Sequence, residues 1–98
     1  MFQELQGGSG GSGGTTTYEY VHDDWPEYGG LTIPTTQKAK AFVIADNWAQ
    51  VWFAEDGDTY CTRDDTVQTS FPVTFNSNNI TIGGNYGAPA QYKGYVIY

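Results

Sequence analysis

The sequence predicts an all-β domain, a small antiparallel β-sandwich or partly open barrel of about seven short strands. Three observations predict it. Extended segments rich in Val, Ile, Thr, Tyr and Trp recur along the chain, and these residues suit a pleated, half-buried surface. Clusters of Gly, Pro, Asp and Asn interrupt them at roughly eight- to twelve-residue intervals. No segment carries a sustained helical apolar period.

The first strand signal is "TTTYEYVH". Thr17, Glu19 and Val21 share one face, and Tyr18, Tyr20 and His22 the other. "DDWPEYGG" ends it, because Pro26 lacks a donor and Gly29-Gly30 invites a turn. "LTIP" is a short extended piece before the loop "TTQ". "KAKAFVIA" alternates and then turns apolar, as a strand entering the core does; the β-branched pair Val43-Ile44 argues against a helix. Asp46-Asn47 turns the chain into "WAQVWFA", with Trp48, Gln50 and Trp52 on one face and Ala49, Val51 and Phe53 on the other. Trp48 or Trp52 is expected to fill the core.

Asp56-Gly57 is a strong hairpin signal leading into "TYCT". "RDD" is another turn. "TVQTSFPVTF" is extended, and Pro72 marks it as an edge strand or a bulge. "NSNN" is a loop, "ITI" a brief strand, "NYGAPAQ" a Gly-Pro loop, and "YKGYVIY" the last strand.

Residues 7–14 read GGSGGSGG, the regular repeat of an engineered linker. Eight such residues behave as a coil with a reach of roughly 15–17 Å. The chain therefore divides into a segment at 1–6, the linker at 7–14 and one β domain at 15–98. Three origins for the hexamer "MFQELQ" stand beside that of a plain tag. It is the displaced end of a circularly permuted domain, which the apolar stop at Tyr98 favours. Or it is a ligand peptide fused to its receptor. Or it is a donated segment that repairs a sheet edge. Phe2 and Leu5, three apart, share one face of a helical turn and are its expected anchors.

Eleven acids against four bases give a formal net charge of −7. Lys38, Lys40, Arg63 and Lys93 are scattered, so a nucleic-acid backbone and an anionic membrane surface are disfavoured partners. No stretch approaches the roughly 20 apolar residues of a membrane span, and no signal peptide is visible. The single Cys61 excludes an internal disulfide and a cysteine-based zinc site. A buried structural thiol is its expected role.

"FNSNNITIGGNYG" followed by "YKGYVIY" resembles the closing strands of laminin-G-like, concanavalin-like lectin modules. The matching residues are Ile80, Ile82, Gly83, Gly84, Asn85, Tyr92, Gly94 and Ile97, and "WFAEDGDTY" is similar to that family's strand and Asp-Gly turn. The resemblance implies a noncatalytic glycan- or protein-binding module and allows a calcium ion. It transfers no ligand residue.

The residues themselves offer the same kind of chemistry. Trp25 and Tyr28 lie in a turn-like segment, and Tyr86 and Tyr92 flank the Gly-Ala-Pro loop. Loop rings stack on sugars or anchor protein contacts at low entropic cost. Asn76, Asn78 and Asn85 can donate to and accept from a sugar, though asparagines also serve turns. Asn79-Ile80-Thr81 matches a glycosylation acceptor.

Among the acids, Asp56, Asp58 and Asp64 are candidate calcium ligands, against the plainer reading of solvated turn carboxylates. No cofactor is otherwise expected. A glycosidase pair needs two carboxyls flanking one bond, one of raised pKa, and no such pair is marked. His22 beside Asp23 lacks an identifiable nucleophile.

The expected function is noncatalytic recognition of a glycan or protein surface by loop aromatics and asparagines, on an extracellular or virion-surface protein. The alternatives are a peptide-binding domain carrying its own ligand at residues 1–6, and a structural assembly domain.

Overall fold

A computed structural model describes residues 17–98. The hexamer with its anchors Phe2 and Leu5, and the glycine-serine segment, lie outside the described residues. The described chain is all-β, with eight strands: β1 (Tyr18–Trp25), β2 (Leu31–Pro34), β3 (Ala41–Ala45), β4 (Val51–Glu55), β5 (Tyr60–Arg63), β6 (Thr66–Phe75), β7 (Asn79–Ile82) and β8 (Ala90–Ile97). They form one antiparallel sheet in the order β1-β8-β3-β4-β5-β6-β7-β2, curled into a nearly closed barrel. A meander from β3 to β7 makes the wall. β8 and β1 extend one end of it and β2 the other.

The strands form where alternation allows one face to be buried. On β4, Trp52 and Ala54 are buried while Val51 and Glu55 are exposed. On β1, Glu19 and Val21 are half-buried and Tyr18, Tyr20 and His22 are exposed, the division that the sequence predicts. The interior joins Phe42 and Ile44 of β3, Trp52 of β4, Val73 and Phe75 of β6, Ile80 and Ile82 of β7, and Tyr92 and Val96 of β8. Cys61 is fully buried among them.

β6 turns the corner. Residues 66–68 pair with β5, and residues 73–75 pair with β7. Between them the register jumps, with Cys61 opposite Gln68 but Tyr60 opposite Pro72. Pro72 thus sits at a bulge, where its missing N–H costs no ladder bond, and its carbonyl still accepts from Gly83 N at 2.8 Å.

β1 and β2 flank the one opening of the barrel order. Tyr98 bridges it. Its hydroxyl donates to Glu19 Oε1 at 2.5 Å and accepts from Thr36 N at 3.0 Å.

β1 runs on through Asp23, Asp24 and Trp25, which the sequence places in the following turn. The expectation differs at β4 as well. "WAQVWFA" is not a continuous strand. β4 begins at Val51, and residues 46–50 form a tight turn in which Asp46 N donates to Gln50 O and Ala49 N donates to Asp46 O. Ala49 adopts φ 59° there, a left-handed conformation that costs a non-glycine residue about 1–2 kcal/mol. Trp52 fills the core, and Trp48 is lifted to the surface at 56% exposure.

Candidate functional site

The turn that displaces Trp48 is held by one carboxylate. Asp46 is buried, and its Oδ1 accepts from Trp48 N at 2.9 Å and Gln50 N at 3.0 Å. Asp or Asn at the head of a turn commonly closes it in this way. Its Oδ2 accepts from Trp52 Nε1 at 3.0 Å and from the Tyr86 hydroxyl at 2.5 Å. Asp46 thereby ties its own turn to the core strand β4 and to the distant β7–β8 loop.

Burial alone would push the Asp46 carboxyl up. The bonds from Tyr86, Trp52, Gln50 and Trp48 outweigh it and hold the group below the usual aspartate value. The Tyr86 phenol moves the other way. Burial, the bond to Asp46 and the Asp46 charge all hold its proton on, against a smaller opposing effect from Arg63.

Tyr86 is the centre of an aromatic cluster. Its ring lies 4.8 Å from Trp25 and 6.1 Å from Trp52, centroid to centroid. On Trp48 it is stacked, at 5.8 Å with 23° between the planes. Beside this pair runs a groove of about 310 Å³, lined also by Gln50, Arg63, Phe71 and Ala88. The Arg63 guanidinium lies 5.5 Å above the Trp52 ring, a cation–π distance. An apolar platform with an amide and a guanidinium at its side can stack a ring and hydrogen-bond its substituents.

The predicted site residues divide. Tyr86 is in the groove. Asn85 stands next to it, but its Oδ1 accepts from Gly29 N at 2.9 Å, docking the β1–β2 turn on the β7–β8 loop. Tyr28, in that turn, is 68% exposed. Trp25 and Tyr92 are 1% and 3% exposed; both pack in the core, and Trp25 meets Trp52 at 4.9 Å.

Asn76 and Asn78 lie in the β6–β7 turn, at the opposite end of β7 from Tyr86. Asn76 donates to Asn79 Oδ1 at 2.8 Å and the Asn78 carbonyl accepts from Thr35 N at 3.0 Å. They cannot share a ligand subsite with Tyr86. The Asn79 acceptor motif is on β7, with its side-chain oxygen engaged by that bond.

The three candidate calcium ligands are not brought together. Asp56 pairs with Lys38 at 3.3 Å and Asp58 Oδ2 accepts from Glu55 N at 2.9 Å, both in the β4–β5 hairpin. Asp64, at the other end of β5, accepts from Val51 N at 2.9 Å. Each carboxylate serves its own turn, and among the described residues no group of three or more His, Cys, Asp or Glu is gathered for a metal.

Asp46, Trp48, Gln50, Arg63 and Phe71 were not among the predicted site residues. The available signal was Asp46-Asn47 directly before Trp48: an Asx turn there breaks the two-residue period that assigns Trp48 to a strand. No protein-family profile, curated protein or solved structure matches the chain.

Proposed function

We propose that this domain is a noncatalytic binding module and that the Trp48–Tyr86 groove takes a sugar ring. The observation that carries the reading is Trp48. A large ring left half-exposed, yet stacked on a second ring that a buried carboxylate holds in place, is preorganised for contact. The C–H face of a pyranose suits the indole face. Its hydroxyls suit Gln50 and Arg63, and Arg63, the one charged residue lining the groove among those described, favours a sugar bearing a carboxylate. This is the class of ligand that the lectin-module resemblance implies.

The noncatalytic character is supported by the state of the reactive groups. Asp46 has all its donors in place and a lowered pKa, where a general acid needs a raised one. The Cys61 thiol is pushed up to about 12, by burial first and by the Asp58 charge second, so it carries no thiolate at neutral pH. The aromatic groove suits a glycan-decorated extracellular or virion surface.

The test is a titration of the full chain with neutral and uronic-acid oligosaccharides, followed by tryptophan fluorescence and amide chemical shifts. Saturable binding with shifts at residues 46–50 and 84–88 is expected. Trp48→Ala should weaken it at least tenfold with little change in melting temperature, and Arg63→Gln should selectively lose the acidic ligands. Binding that persists unchanged in Trp48→Ala would move the site elsewhere.

A further inference from the structure

The two strand edges that face each other across the barrel's opening are unlike. In an antiparallel pair, alternate residues bond the same neighbour. Thr17 O accepts from Tyr98 N at 2.9 Å. The backbone groups of Glu19, Val21 and Asp23 therefore also turn to β8, and those of Tyr20 and His22 turn to the opening. Beyond them, Asp24 N is taken by Asp23 Oδ1 at 2.8 Å. On β2, Thr35 N donates to Asn78 O at 3.0 Å, which turns Thr32 and Pro34 to the opening, and Pro34 has no N–H to offer. No register pair joins β1 to β2 among the described strands. Between them runs a groove of about 300 Å³, whose lining includes Val21, Asp23, Pro34, Thr35 and Tyr92. Thr35 Oγ1 is buried there without a hydrogen-bond partner among the described residues, and a buried hydroxyl left unpaired is destabilising.

We propose that this opening is a second binding site, which takes an extended peptide bearing a lysine or arginine as an added strand on β1. Strand addition draws affinity from backbone bonds and selectivity from alternate side chains. In antiparallel pairing, two peptide residues, two apart, exchange N–H···O bonds with Tyr20 and His22. The residue between them lies opposite Val21 and turns into the groove, where a serine suits the unpaired Thr35 Oγ1. Charge names the partner. β1 carries Glu19, Asp23 and Asp24, and neither β1 nor β2 carries a Lys or Arg. Lys93 stands across from His22 on the outer face, so the inward row, Glu19 and Asp23, is the acidic one. Glu19 already accepts from the Tyr98 hydroxyl, which leaves Asp23 for the peptide's cation. A second copy of β1 would set the same carboxylates against each other, and like charges across a strand pair are destabilising. The site does not depend on the Trp48–Tyr86 groove.

The experiment titrates the isotope-labelled full chain with the capped peptide acetyl-Thr-Lys-Val-Ser-Val-Thr-amide. In the expected register its lysine lies opposite Asp23, its valines opposite His22 and Tyr20, and its serine opposite Val21. Saturable amide shifts and slowed hydrogen exchange at Tyr20 and His22 are expected, with residues 46–50 unmoved. A glutamate in place of the peptide lysine should weaken binding by roughly tenfold or more, because like charges then meet. N-methylation of both valines removes the peptide's pairing donors while keeping its side chains, and should abolish binding. Absence of binding overturns the proposal, as does binding that survives N-methylation or ignores the charge swap. Amides of Tyr20 and His22 already protected in the peptide-free chain overturn it too. The edge is then filled from within the chain if sedimentation shows a monomer, and by a second copy if it shows a dimer.

Discussion

Asp46 concentrates more of this molecule's logic than any other described side chain. A buried carboxylate is expensive unless its lone pairs are filled, and here backbone, indole and phenol donors fill them. Asp46→Asn keeps the shape but turns one acceptor into a donor. The Trp52 N–H and the Tyr86 O–H, which share Oδ2, then both face the amide N–H, or in the flipped orientation the Trp48 and Gln50 backbone N–H groups do. A loss of about 2–3 kcal/mol is expected, read from urea unfolding at neutral pH. Because the folded pKa lies below the unfolded one, this stability is present above about pH 4 and is lost as pH falls through the lower folded value. Wild type should therefore lose acid stability that Asp46→Asn never had. Cys61 is fully buried, so alkylation requires opening of the barrel, and a pKa pushed up to about 12 by that burial and by the Asp58 charge keeps the native thiol protonated as well. Iodoacetamide labelling at neutral pH should be slow in the native protein and accelerate in parallel with unfolding as urea is added.

At the scale of the element, β8 and β3 approach each other closely at Gly94. A Cβ on Gly94 would lie 2.1 Å from Val43 O and 2.6 Å from Ile44 Cα. These are backbone atoms, which cannot swing aside as a side chain can. Gly94→Ala should cost roughly 3 kcal/mol, measured by thermal or urea unfolding. Gly57 in the β4–β5 hairpin provides the contrast. A methyl on Gly57 would meet nothing within 4 Å, but its φ is +104°, so Gly57→Ala should cost only about 1–2 kcal/mol of conformational strain. The Asp-Gly hairpin was legible because turn chemistry is local. The role of β6 was less so. Pro72 announces an edge or a bulge, and only the pairing shows that one strand serves β5 with one half and β7 with the other.

Across the whole molecule, the barrel closes through a side chain at the end of the described chain. Tyr98 links Glu19 of β1 to Thr36 beyond β2. Tyr98→Phe removes the bridge while keeping the ring. A loss of about 1.5–3 kcal/mol is expected, since one partner is a carboxylate, with faster amide exchange at Thr36 than in the β3–β4 pair.

What the sequence determined by itself was local. Two-residue alternation made strands of residues such as Tyr18 to Val21, Asp-Gly and Gly-Gly made turns, and a single cysteine left no internal disulfide to form. Those signals depend on neighbours along the chain, so they survive without a fold. The tertiary structure alone decided which aromatic rings face the groove and which meet the core. Trp25 and Trp48 look alike as letters near turns, but Trp25 is drawn inside against Trp52 and Tyr86, while Trp48 is lifted out by the Asp46 turn. The reason is that the Asp46–Tyr86 bond spans 40 positions, and contacts of that length exist only once the sheet has curled and brought two loops to the same rim.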